Sequence, residues 1–175
     1  MVLLKVRRLY LEGSESIEAR IVDRVCRRSL EILRNQNLRA VTDYRQKLQK
    51  ADKFSVHRRD QWFIDGDRLI EYYENDGGPF LFFTPRGVNL FAETKYRAIK
   101  SVIRGYGGNG VAVIYSDIVT SVTRGASYIL HEAFGHAYYD LPDHYKRETL
   151  CAMSKHRERA LLYCNPCLEK ARAVE

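Results

Sequence analysis

The sequence predicts an α/β fold in which a mixed, twisted sheet packs on helices, one of them carrying a pair of histidines. Three observations predict it. Residues 2–11 alternate apolar and basic side chains at the period of a strand and are followed by an amphipathic helical pattern. Two short apolar runs, Phe80-Leu81-Phe82-Phe83-Thr84 and Val111-Ala112-Val113-Ile114-Tyr115, read as strands, the first of them buried and central. Strand and helix patterns interleave along the chain instead of segregating, as in an α/β sandwich.

In chain order, residues 2–11 set Leu4, Val6 and Leu9 against Lys5, Arg7 and Arg8. Gly13-Ser14 breaks this strand, and Ser14 or Ser16 is expected to cap a helix running to residue 35. Ile17, Ile21, Val25, Leu30, Ile32 and Leu33 give that helix one apolar face, leaving Arg20, Arg24, Arg27 and Arg28 in water. Cys26 falls inside the apolar pattern and reads as a buried thiol. A short strand is expected over 38–42, and the polar, basic stretch 43–56 reads as a loop or excursion. A second helix over 65–75 turns Leu69, Ile70 and Tyr73 inward. After Gly77-Gly78-Pro79 comes a central strand over 80–84. Pro85-Arg86-Gly87 then turns the chain, and 88–91 continues the edge beyond it. Residues 96–104 fit strand or helix equally. Residues 105–110 read as a flexible glycine-rich loop and 111–115 as a strand. A helix opened by Ser121 or Thr123 runs through His136.

At 175 residues, 45% apolar and 29% charged, the chain has the size of one domain and can bury a core unaided. No apolar run reaches the length of a membrane span, and the opening Met1-Val2-Leu3-Leu4-Lys5-Val6 is charged too early for a signal peptide. A cytoplasmic location without a membrane partner is the expectation. The net charge of +7 permits nucleic-acid contact, but the basic residues are dispersed, with only short pairs such as Arg27-Arg28 and Arg58-Arg59. Solvated basic faces account for them more simply. His57 stands alone and reads as a surface residue.

Four of the five histidines and three of the four cysteines follow residue 130. The stretch His131-Glu132-Ala133-Phe134-Gly135-His136 has the composition of a helical zinc site, with two imidazoles to hold an ion and a Glu between them to act as base. Its spacing is one residue too long. On an α-helix, positions i and i+4 lie within about 40° of each other, whereas i and i+5 are about 140° apart. A π-type turn, with roughly 4.4 residues, would realign them, and Gly135 makes such a distortion cheaper. The expectation is a zinc helix with a one-residue insertion; the plainer alternative is a helix with one core and one surface histidine. Further on come Cys151-Ala152-Met153 and Cys164-Asn165-Pro166-Cys167. In a reducing compartment these cysteines read as metal ligands, not disulfides.

These motifs resemble those of the metzincin metallopeptidases and, within them, the archaemetzincins. That branch carries His-Glu-x-x-His-x-x-Gly-x-x-His followed by Cys, then Cys-x-Met and a later Cys-x-x-Cys. His131-Glu132 and Gly135-His136 match the first half with one residue extra, and the two cysteine motifs match the rest. Arg58-Arg59-Asp60-Gln61-Trp62-Phe63 is similar to the family's Arg-Gly-Gln-Tyr segment. Two departures stand out. The motif glycine is replaced by Tyr139 or Asp140, and the family's adjoining His-Cys pair is matched by Asp143-His144.

The resemblance implies a metzincin-like zincin fold in a single domain over 1–175. Sheet and zinc helix would occupy 1–136, and a C-terminal subdomain with the Met-turn and cysteine site 137–175. It implies two Zn2+ ions, one catalytic and one structural, with Glu132 as general base and Met153 as the thioether beneath the catalytic ion. It also implies that 111–115 is the edge strand holding an extended peptide by β-addition, unless the glycine-rich stretch before it covers that edge. Two ligand sets stay open. In one, His131, His136 and Asp143 hold the catalytic ion while His144, Cys151, Cys164 and Cys167 hold the structural one. In the other, His131, His136 and His144 hold the catalytic ion, and the cysteines are completed by His156 or stay three-coordinate. The implied activity is zinc-dependent hydrolysis of peptide bonds in a peptide or protein substrate. The competing readings are a zinc protein of this fold that binds without turnover, and a basic nucleic-acid-binding zinc protein. Nothing in the pattern specifies an oligomer.

Overall fold

The computed structural model describes residues 1–43, 47–92, 103–145, 150–155 and 160–175. In chain order its elements begin β1 (Val2–Tyr10), α1 (Ala19–Asn35), β2 (Ala40–Thr42), β3 (Lys47–Lys50), β4 (Ser55–Arg58), β5 (Gln61–Asp65) and α2 (Gly66–Tyr73). They continue with β6 (Phe80–Phe83), β7 (Asn89–Phe91), β8 (Gly105–Gly108), β9 (Val111–Ile114), α3 (Val122–Tyr128), a π-helix (Ile129–Tyr138) and α4 (Asn165–Val174).

The main sheet runs β2-β1-β6-β9-β8, with β3 extending the β2 edge along the second half of β1. All its pairings are parallel except that of β8, which lies antiparallel on β9. Both faces are covered. Leu81, Phe83, Ala112 and Ile114 point into a core shared with α1, α3 and the π-helix, while Phe80, Phe82, Val111 and Val113 point into a second core under α2. This two-sided burial is why β6 and β9 read as unbroken apolar runs. A second, smaller sheet, β4-β5-β7, contributes Ile64 and Leu90 to the same second core.

Several elements differ from expectation. α1 opens after Glu18 without a side-chain cap, so neither Ser14 nor Ser16 serves as one. The stretch 43–56 contains β3, a single 3-10 turn (Asp52–Phe54) and the start of β4. β3 is polar and largely exposed, as suits an edge strand recruited by the free side of β1. Residues 89–91 leave the main sheet and pair in parallel with β5. Residues 105–108 form β8, which makes β9 an interior strand and β8 the edge. Most of the ambiguous stretch 96–104 lies outside the described residues. Among the described residues, no helix is long and apolar enough to cross a membrane.

Candidate metal centre

The helix carrying the histidines begins conventionally. The Ser121 hydroxyl accepts from Arg124 N at 3.1 Å and opens α3. At Ile129 the winding widens, and the chain stays a π-helix to Tyr138, far beyond a single turn. Tyr139 N donates to Phe134 O, five residues back, at 2.8 Å. Three of its carbonyls take partners from elsewhere: Leu130 O from the Tyr163 hydroxyl (2.5 Å), Ala137 O from Gly110 N (3.0 Å) and Gly135 O from Leu141 N (2.9 Å). These outside donors offset the poorer internal ladder of a wide helix. The result brings His131 and His136 together with ring centroids 4.8 Å apart and planes at 89°.

The chain leaves the π-helix at Asp140, whose φ of +50° is the left-handed conformation a glycine adopts most cheaply. The turn delivers Asp143 to the histidines. Its Oδ1 lies 3.2 Å from His131 Nε2 and 3.1 Å from His136 Nε2. Behind the rings, His131 Nδ1 donates to Ala152 O (2.8 Å) and His136 Nδ1 to Leu141 O (3.0 Å). A carbonyl can only accept, so these bonds put a proton on each Nδ1 and turn each Nε2 to the shared point, where it donates to Asp143 Oδ1 when protonated and can bind a metal once that proton is lost. The other oxygen of Asp143 accepts from Lys155 Nζ at 3.0 Å. Burial alone would raise the Asp143 pKa. Hydrogen bonds from His131, His136 and Lys155, with the nearby charge of His136, overcome it and hold the carboxyl well below the usual range.

A second group, His144, Cys151, Cys164 and Cys167, gathers beside it. His144 Nε2 stands 3.1 Å from Cys167 Sγ and 3.4 Å from Cys164 Sγ, and Cys151 Sγ stands 3.8 Å from Cys167 Sγ. Cys164 is the N-cap of α4, Pro166 lies in its first turn, and Cys167 follows, so two thiols sit at the positive end of a helix. The Cys151 pKa is lowered to about 5 by the Cys167 thiol, against burial, with help from the N–H groups of Cys164 and Met153. Cys167, its partner, is shifted upward, chiefly by the same contact with Cys151.

Both groups fit zinc. A tetrahedral ion with bonds of about 2.0 to 2.1 Å to N and O, and about 2.3 Å to S, needs ligand–ligand edges of roughly 3.3 Å and 3.8 Å respectively. The N···O edges of 3.1 and 3.2 Å and the S···S edge of 3.8 Å match this. Pre-set imidazole tautomers and an N–H-supported thiolate are the outer-shell features that such sites use.

Glu132 completes the surroundings. It is 4% exposed, and its Oε1 lies 3.9 Å from His131 Nε2. β8 crosses directly over it. A Cβ on Gly105 would stand 2.7 Å from Glu132 Cγ and 2.8 Å from its Oε1, and one on Gly107 would collide with the Glu132 carbonyl. Glycines are required there because only a bare backbone fits against the helix. Met153 is fully buried and packs against the π-helix at Gly135.

Of the residues singled out from sequence, His131, His136 and Asp143 form one cluster, and His144, Cys151, Cys164 and Cys167 the other. His144 thus faces the cysteines, and Asp143 faces the two histidines. His156 lies outside the described residues. His57, on β4, is exposed against Trp62. Sequence reading missed Lys155, Tyr163 and the two β8 glycines; each acts through partners distant in sequence, and none belongs to a motif.

No protein-family model matches the chain, and no curated protein matches it in sequence. Among solved structures, its fold is similar to that of a zinc-dependent peptidase from Methanocorpusculum labreanum (strain Z), at a TM-score of 0.61 and 12% identity, covering 98% of this chain and 100% of that one. At that identity the likeness is one of fold: the chain has a zinc-peptidase-like α/β architecture, together with two groups of side chains able to hold a metal ion.

Proposed function

We propose that the chain is a zinc-dependent peptidase of metzincin type, similar to archaemetzincins, in which His131, His136 and Asp143 hold the catalytic ion and Glu132 is the general base. The observation that carries this reading is the convergence of three zinc-competent donors on one point, with the Glu132 carboxylate 3.9 Å from one of them. The fold likeness to a zinc-dependent peptidase supports it. Zinc bound there supplies Lewis acidity, polarising a peptide carbonyl and lowering the pKa of water toward about 7.

Each residue then has a defined task. Glu132 takes the proton of the attacking water and returns it to the leaving amine as the C–N bond breaks. Ala152 O and Leu141 O hold the imidazoles in the required tautomer. β8 ends the sheet and passes over Glu132, so an extended peptide adding to its outer edge runs beside the carboxylate. This requires an unfolded segment, which favours short peptides and loose chain ends as substrates. His144, Cys151, Cys164 and Cys167 hold a second, structural zinc ion that ties α4 to the segment bearing Met153.

The test is turnover of unstructured peptides by the zinc-loaded chain. Glu132→Gln is expected to lower kcat by about 10²- to 10⁴-fold with zinc content unchanged. A second reading, a zinc protein of this fold without turnover, draws on the burial of Glu132 beneath β8. Absence of cleavage by the fully loaded wild type would favour it.

A further inference from the structure

Asp143 brings to the histidine pair something a third imidazole would not, namely a negative charge and a second oxygen in a nearly closed site. We propose that Lys155 is a positioning residue for this centre, holding the Asp143 carboxylate so that one oxygen faces the metal and offsetting the charge that the carboxylate adds. The inference rests on the peptidase reading above.

The geometry divides the two oxygens cleanly. Oδ1 faces both imidazoles, and Oδ2 faces Lys155 Nζ at 3.0 Å. With the ammonium on Oδ2, the carboxylate is steered away from binding through both oxygens at once. The lysine is also delivered by backbone, not by chance encounter. Lys155 N donates to His144 O at 2.9 Å, His144 N donates to Met153 O at 2.8 Å, and His144 and Ser154 form a parallel bridge. The residue after Asp143 is therefore laced to the residues flanking Lys155. The side chains are 9% and 26% exposed, so the pair is shielded enough for its charge to matter. The Lys155 ammonium also lies 6.0 Å from the Tyr145 ring centroid.

The electrostatic consequence follows directly. Exchanging a neutral imidazole for a carboxylate lowers the charge of a metal site by one unit, which weakens its pull on a substrate carbonyl. An ammonium on the far oxygen restores that unit without occupying a ligand position. Lysine suits the task because a point charge on a flexible stem reaches a single oxygen, whereas arginine tends to span both.

The test is zinc affinity of the full chain, read by competition with a chromogenic chelator, in a double-mutant cycle of Lys155→Met with Asp143→His. In the native background Lys155→Met is expected to weaken binding at the histidine site about 10- to 100-fold, the usual cost of losing an outer-shell partner. Lys155→Arg is expected to recover only part of that affinity, because it restores the charge but not the contact to a single oxygen. In the Asp143→His background, Lys155→Met is expected to have no effect, because no carboxylate remains to be held. With Co2+ as probe, the visible ligand-field band of the histidine site is expected to shift in Lys155→Met only when Asp143 is present. An equal loss in both backgrounds, as a general folding defect would give, overturns the proposal, and so does no loss in either. If the wild type takes up no metal that His131→Ala removes, the peptidase reading itself has failed; metal uptake with a silent Lys155→Met defeats this inference alone.

Discussion

Gly135 and Met153 pack so closely that a Cβ on the glycine would collide with the methionine sulfur and stand 2.8 Å from its terminal methyl carbon. The π-helix bearing both histidines therefore rests on the thioether of the Cys-x-Met segment. Gly135→Ala is expected to destabilise the chain by about 1–3 kcal/mol, the usual cost of overpacking. Urea midpoints check this, and combining it with Met153→Ala should relieve much of the penalty that the alanine causes.

Tyr163 donates to Leu130 O from deep in the core. Tyr163→Phe leaves a buried π-helix carbonyl without that donor, and the expected cost is about 1–3 kcal/mol. Chemical unfolding measures the loss. A cost indistinguishable from zero would mean the widened winding does not depend on that donor.

Asp140 holds φ = +50° where the chain turns from the π-helix toward Asp143, and its side chain is almost wholly exposed. Asp140→Gly is expected to preserve or raise stability, by up to about 1 kcal/mol, because glycine adopts that conformation freely. Asp140→Val is expected to lower it by about 1–2 kcal/mol. Thermal unfolding of the pair gives the comparison.

Alkaline pH should weaken the fold through Cys26. Burial, aided by Asp23, raises its thiol to about 12 from a reference near 9.0, so the native state retains a proton the unfolded chain gives up. Stability is thus intact below pH 9 and falls as pH rises toward 12, by up to about 4 kcal/mol from this group. Tyr139, raised by burial and by Glu175, acts in the same direction. Unfolding free energies from pH 8 to 11 should decline in the wild type and less steeply in Cys26→Ala.

The legibility of the sequence varied with the range of the forces involved. The five-residue spacing between His131 and His136 left two readings, a widened helix in which the imidazoles share one point or a regular helix with one core and one surface histidine, and the helix found is the widened one. The extent of the widening was hidden, since it depends on Tyr163 and Gly110, whose donors come from remote segments. β6 and β9 were legible from their apolar runs. β8 was not: Gly-Tyr-Gly-Gly has no strand pattern, and it becomes a strand through the edge of β9 and the surface of Glu132. β3 was hidden for a similar reason, its polar side chains suiting an edge that only β1 creates. Lys155 carried no signal, because its significance lies in Asp143, twelve residues away, and a single lysine in a basic chain marks nothing.

Metal content per chain in the purified protein, for wild type and for the His131→Ala, His136→Ala double variant, separates an ion held by the histidines from one held by the cysteines. Two zinc ions are expected in the wild type and one in the double variant, the survivor held by His144, Cys151, Cys164 and Cys167. A single ion in the wild type, unchanged by loss of both histidines, would contradict the proposed histidine site.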